Sequence, residues 1–246
     1  MNDSISKRGW IRPLAAFIGL IMPLSAFSTT SGIPSPNVRD NDSSSQYRMN
    51  YRPAEGTRPS SFDHRFHYQQ SLNDRVRLRG IVQYADTAGR DAELAWTRFE
   101  TQWQYYKRER GGGAAIRLDL QKYDSDNSAD FARLVWIGDR KFGALSTRAN
   151  LLVGKEFGNR ARSGLTLGSR FEVARRSDNG TKYGVQYLNT INTTADYGSF
   201  DSQRHQIGPI VERSFGQWSL FASYLHGASD SAPEGAVRFF VNRKFN

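Results

Sequence analysis

The stretch Ala95-Trp96-Thr97-Arg98-Phe99-Glu100-Thr101-Gln102-Trp103-Gln104 decides the fold class. Ala95, Thr97, Phe99, Thr101 and Trp103 alternate with Arg98, Glu100, Gln102 and Gln104, a period of two that puts each set on its own face of a strand. The next segment repeats the pattern, with Ile116, Leu118 and Leu120 against Arg117, Asp119 and Gln121. On the other side, Val76, Leu78, Val82 and Tyr84 stand opposite Arg75, Arg77, Arg79 and Gln83, and Phe62, His64, Phe66 and Tyr68 alternate with Asp63, Arg65, His67 and Gln69. Tyr47, Met49 and Tyr51 begin the series against Arg48, Asn50 and Arg52, and it runs on to Val237, Phe239, Val241 and Phe245. No long stretch carries a helical period.

About twelve such segments are present, joined by connections that alternate between tight ones, near Leu72, Lys141 and Gly216, and loose polar ones, near Thr57, Gly89, Asn127, Asn159, Tyr197 and Ala232. The expected fold is all-β: a transmembrane, antiparallel, up-and-down barrel of about twelve strands over residues 46–246. A soluble sandwich or lipocalin-like barrel would also alternate, but it would turn its large apolar side chains inward. Here the opposite face is rich in arginine. Aromatic residues gather near segment ends, at Tyr84, Trp103, Tyr105, Trp136, Tyr183, Trp218, Tyr224 and Phe245, as membrane-interface girdles require. The last segment resembles the terminal strand of bacterial outer-membrane proteins, with Asn246 following the final aromatic residue.

Lys7, Arg8 and Arg12 precede an apolar run over residues 14–27, followed by small residues, which is the layout of an export signal over residues 1–28. Residues 29–45 are mostly Ser, Thr, Asn, Asp and Pro and are expected to form a flexible leader. The absence of cysteine excludes disulfide scaffolds, thiol catalysis and cysteine-bound zinc. A formal charge of +10 calls for an anionic partner, and export argues against nucleic acid.

If the apolar set faces lipid, the lumen receives Arg48, Arg52, Arg65, Arg75, Arg77, Arg79, Arg98, Arg117, Arg133, Arg148 and Arg170, with Arg204, Arg238 and Lys244 continuing the set. Asp63, Glu100, Asp119, Glu172 and Glu212 are the acids on that side. A three-residue turn at Ser71, Leu72 and Asn73 would set Arg65 opposite Arg79 and His67 opposite Arg77, a like-charge ladder that a wet lumen or a passing anion could screen. Two readings follow. The arginines line a pathway for anions, or they pair with the acids in a network that fills a closed barrel. Inward-facing Ile210, Phe221, Leu225 and Phe240 break the basic wall in the last strands.

Catalytic spacing is scarce. His64 and His67 point to opposite faces of one strand, so no metal site is expected there. A tight turn at Phe215 and Gly216 would set His205 against His226 on the lipid side near the outer rim, close to Asp201, Ser229 and Asp230, which is where a rim hydrolase acting on lipid or lipopolysaccharide would place them. Gly111, Gly112 and Gly113 follow Lys107, Arg108 and Arg110 between strands and read as a solvated turn, with no following helix to complete a phosphate loop.

The run Tyr47-Arg48-Met49-Asn50-Tyr51-Arg52, then Asp63-His64-Arg65 and the Arg75, Arg77, Arg79 series, resembles the opening of the oligogalacturonate-specific porins. These are small twelve-stranded outer-membrane channels with a basic lumen that pass acidic oligosaccharides. The resemblance implies that Arg48, Arg65, Arg77, Arg79 and similar inward arginines contact sugar carboxylates. The expectation is a monomeric outer-membrane channel for small anions, bordered by lipid and lipopolysaccharide, without cofactor or enzymatic activity. A rim enzyme and a closed structural or adhesive barrel are the alternatives.

Overall fold

The structure, a computed structural model, describes residues 30–88, 91–108 and 112–245. The export signal expected over residues 1–28, together with Arg110 and Gly111, lies outside the described residues. Twelve strands follow in order: β1 (Ser43–Arg52), β2 (Ser61–Ser71), β3 (Val76–Thr87), β4 (Glu93–Lys107), β5 (Gly112–Tyr123), β6 (Asp130–Phe142), β7 (Leu145–Phe157), β8 (Thr166–Arg176), β9 (Lys182–Thr193), β10 (Arg204–Phe215), β11 (Trp218–Gly227) and β12 (Gly235–Lys244). Each pairs antiparallel with its neighbours in sequence, and β1 pairs with β12 through Tyr47 opposite Val241, so the sheet closes without a free edge. Residues 43–45, expected in the leader, are already strand.

The tight turns fall at one end, over residues 72–75, 143–144 and 216–217, and the longer connections over residues 53–60, 158–165 and 194–203 fall at the other. These are called the short-turn and long-loop ends below. At the short-turn end Lys107 reaches Asp74 at 2.8 Å, and this hydrogen bond holds the Asp74 carboxyl below its ordinary value.

Outside and inside are inverted relative to a water-soluble protein. Phe66, Phe99, Leu118, Leu134, Val153, Val173, Val185, Val211, Leu220 and Val237 are all exposed, whereas Asn50, Asp63, Arg65, Gln83, Glu100, Arg117, Asp119, Asn150, Gln186 and Arg238 are buried. An apolar band of that extent is stable against lipid and not against water. The polar interior removes the sandwich and lipocalin readings. Trp103, Tyr105, Trp218 and Phe245 lie toward the short-turn end and Tyr84 and Tyr224 toward the other; the Trp136 indole donates to the Tyr105 hydroxyl at 2.8 Å.

Two hairpins differ in register from the sequence expectation. The β2–β3 turn is three residues long, as parity demands, but it comprises Asn73, Asp74 and Arg75. Leu72 N–H bonds the Val76 carbonyl at 2.9 Å, and the Asn73 side chain accepts from the N–H groups of Arg75 and Val76 at 2.8 Å each. Arg65 therefore stands opposite Gln83 and His67 opposite Ile81; Arg79 meets Gln69 and Arg77 meets Ser71, so the like-charge ladder does not form. Arg75 sits in this turn, exposed, and not on the inner wall. Gly216, at φ +58°, makes the β10–β11 turn with Gln217, which places His226 opposite Ile207 and separates it from His205.

Gly208 on β10 lets the backbone of β11 approach closely, since a Cβ there would lie 1.8 Å from the Tyr224 carbonyl oxygen. Gly208→Val is expected to abolish the heat-modifiable gel migration of a closed barrel; normal migration would contradict this packing.

Candidate functional site

Acids and amides on the inner wall neutralise part of the basic face. On the β3–β5 wall Glu100 receives Arg79 at 3.0 Å, Arg117 at 3.2 Å and Arg98 at 3.5 Å, and Asp119 receives Arg117 at 2.6 Å and Arg133 at 2.7 Å. Nearer the long-loop end Arg52 lies 3.6 Å from Asp63. Toward the short-turn end Glu172 is shared by Lys182 at 2.6 Å and Arg148 at 3.7 Å, and Lys182 also reaches Glu212 at 3.4 Å. Glutamines supply further acceptors: Gln83 takes Arg65 at 2.8 Å, Gln69 takes Arg79 at 2.7 Å, and Gln121 takes Arg98. Much of the pairing network expected for a filled barrel is therefore present, although the basic residues outnumber their acids.

The leader meets that surplus. Residues 30–38 are not a free tail; they thread the lumen from the short-turn end, where the Asp42 carbonyl accepts Ser71 N–H at 2.9 Å. Every carbonyl from Thr30 to Asn37 accepts a hydrogen bond from a side chain of the wall. Arg48 donates to Thr30 at 3.1 Å, Arg238 to Ser31 at 2.9 Å, Arg170 to Gly32 at 3.0 Å and Arg148 to Ile33 at 2.7 Å. Asn150 donates to Pro34 at 3.3 Å, Gln102 to both Ser35 and Pro36 at 3.1 Å, and Arg77 to Asn37 at 3.5 Å. An extended segment has carbonyls that its own backbone leaves unused, and Pro34 and Pro36 carry no N–H that a donor-rich wall would have to satisfy. The side chains fit as well. Ile33 packs with Leu188, Leu225 and Ala236, and Val38 is buried, its N–H donating to Gln104 at 2.8 Å. The apolar inward residues of the last strands thus form a socket for the leader and a bed for arginines, with Arg48 4.7 Å from the Phe240 ring centre and Phe221 stacked on Phe240 at 4.7 Å.

On either side of the leader the lumen keeps space. Toward the long-loop end a cavity of about 70 Å³ is lined by Arg65, Arg98, Arg133, Arg170, Arg204 and Trp96, with Ser31 of the leader at its floor. Here the guanidiniums lie over aromatic faces: Arg65 and Arg98 over Trp96 at 4.5 and 4.6 Å, and Arg133 over Phe131 at 5.1 Å. Toward the short-turn end a cavity of about 580 Å³ lies beside Ser35, Asn37, Asp139, Arg148, Glu172 and Lys182.

Of the pathway residues expected from sequence, Arg48, Arg52, Arg65, Arg77, Arg79, Arg98, Arg117, Arg133, Arg148 and Arg170 take part in these inner-wall contacts, Arg75 does not, and Lys244 is exposed at the short-turn end. Sequence reasoning missed Trp96, Asn150, Gln102 and Ile33; the signal for the last was an aliphatic residue beside two prolines, one of two aliphatic residues, with Val38, in a mostly polar leader. The rim histidines form no pair. His205 is buried, stacked on Phe200 at 4.0 Å and bonded to Tyr187 Oη at 2.6 Å and Gln203 at 3.1 Å, while His226 is exposed.

No family model matches the chain, and no curated protein matches it. Among solved structures it is similar to the KdgM porin, at 14% identity and a TM-score of 0.58 over 82% of this chain and 99% of that one. A KdgM porin in complex with disordered oligogalacturonate aligns at 13% identity and a TM-score of 0.57, over 82% and 99% of the two chains. The COG4313 outer membrane channel from Pseudomonas putida F1 aligns at 10% identity and a TM-score of 0.64, over 89% and 98%. The shared property is the twelve-stranded barrel fold.

Proposed function

We propose that the protein is an outer-membrane channel whose basic lumen passes small anions, with acidic oligosaccharides as the favoured class. The observation that carries this reading is the pairing of an apolar outer band with an inner wall whose guanidiniums exceed its carboxylates, gathered at the long-loop end over Trp96 and Phe131. Such a surface offers carboxylates paired N–H donors, held in place by the aromatic faces beneath them. The fold similarity to a porin whose structure includes oligogalacturonate supports the same class. In the membrane the short turns would face the periplasm and the long loops the exterior.

Transport would be passive. Each arginine lowers the electrostatic cost for an anion, and the acids between them keep any one position from becoming a deep trap. The separation of His205 from His226 weighs against the rim enzyme. Proteoliposomes carrying the protein are expected to swell faster in oligogalacturonate than in a neutral oligosaccharide of equal length. Equal rates would overturn the anion preference.

A further inference from the structure

Resting on the reading of the lumen as an anion pathway, we propose that residues 30–38 occupy the solute's own subsites, so that an anionic solute and the leader compete for Arg48, Arg148, Arg170 and Arg238. These four guanidiniums donate to four successive leader carbonyls, at 2.7 to 3.1 Å. A neutral carbonyl offers each of them one uncharged acceptor. A carboxylate offers two oxygens and a negative charge, so a guanidinium can meet it with two parallel N–H bonds and an ion pair where the carbonyl takes one bond. A chain of carboxylates can therefore take the arginines from the leader one at a time.

The geometry gives the exchange a direction. A solute coming from the long-loop end enters the cavity that Arg65, Arg98, Arg133 and Arg170 line together with Ser31 of the leader, so it meets the basic wall and the leader in one place. Ile33, in its socket of Leu188, Leu225 and Ala236, is the apolar catch that keeps the leader in place when no solute is present. Once released, the leader stays tethered through β1, which begins at Ser43, and the larger cavity beside Ser35 and Asn37 can receive it.

The chain has no cysteine, so one introduced pair reports the leader's position. Ser35 Oγ donates to Asp139 Oδ2 at 3.2 Å, so the two side chains are neighbours, and Ser35→Cys with Asp139→Cys is the lock, its closure counted by thiol titration in the full chain before any current is read. In planar bilayers with oligogalacturonate as the anion, the oxidised lock is expected to conduct at least about tenfold less than the same protein after reduction. Oligogalacturonate, and not a neutral maltooligosaccharide, is expected to slow formation of the disulfide several-fold. A second variant, Ile33→Ala, withdraws the side chain from its apolar socket and is expected to raise conductance above that of the unaltered chain. An oxidised lock that conducts as well as the reduced protein overturns the proposal, and so does a disulfide rate indifferent to oligogalacturonate. If the lock in both states and Ile33→Ala all conduct alike with anion preference, the pathway stands and the competition alone falls. Silence from all of them, with folding confirmed by heat-modifiable migration, rejects the pathway itself.

Discussion

Glu100→Ala is expected to lower the melting temperature of the barrel in detergent by more than any other single replacement of an inner-wall acid. The Glu100 carboxylate is nearly inaccessible and has Arg79, Arg117 and Arg98 within 3.0, 3.2 and 3.5 Å. Deleting it leaves three guanidiniums facing one another with no charge between them. Breaking a buried pair by removing one partner costs about 3–5 kcal/mol, because the remaining charge stays desolvated. Asp119 would retain Arg117 and Arg133, but it cannot reach Arg79 at the distance Glu100 does. Glu100→Gln keeps the acceptor oxygen and loses the charge, so its melting point should fall between those of the parent and the alanine variant. An unchanged melting point for Glu100→Ala would mean that the network is not part of what holds the wall together.

Reversing charge at the long-loop cavity is expected to have the largest effect on transport. Arg65 and Arg170 both line that cavity, one over Trp96 and the other donating to the leader at Gly32. A unit charge about 4 Å from a passing ion contributes about 1 kcal/mol in water and about 4 kcal/mol at an effective dielectric near 20. A tenfold change in selectivity needs only about 1.4 kcal/mol. Arg65→Glu combined with Arg170→Glu should therefore shift the anion-to-cation permeability ratio at least about tenfold toward cations. Since Arg170 also holds the leader, the double variant should be compared with Arg65→Gln and Arg170→Gln, which loosen the same contacts without adding negative charge. A ratio shared by the Glu and Gln forms would assign the effect to the loss of the guanidiniums and their hold on the leader, and not to the added negative charge.

Much of the fold was legible because the pleat has a period of two. Alternation such as Phe99, Thr101, Trp103 against Arg98, Glu100, Gln102 fixed the faces, and the tight turns near Leu72, Lys141 and Gly216 fixed the direction of travel. Register was harder to read. A turn that keeps its length and slides along the chain shifts every partner by an even number of residues, so each side chain stays on its predicted face but meets a different neighbour. Arg65 thus exchanged Arg79 for Gln83, and His205 lost His226, although both hairpins kept the expected inside and outside. The decision between the starts of a three-residue turn lay in the Asn73 carboxamide, whose bonds to Arg75 and Val76 select one of several compatible loops. The leader was the least legible part of the site. Its order comes from donors on strands as distant in sequence as Arg238, which no local propensity reports. Its counterpart was nonetheless visible as an anomaly: Leu225 and Phe240, with Ile210 and Phe221, faced inward and broke the basic wall in the last strands, and Leu225 and Phe240 meet Ile33 and Arg48.

The reversal potential of the reconstituted chain across a planar bilayer under a salt gradient tests the central claim most directly. A basic lumen predicts a potential of the sign that reports anions crossing faster than cations, in the unaltered chain and in the larger current carried by Ile33→Ala. A potential of the opposite sign, or no current from either protein when both are shown to be folded, would contradict it.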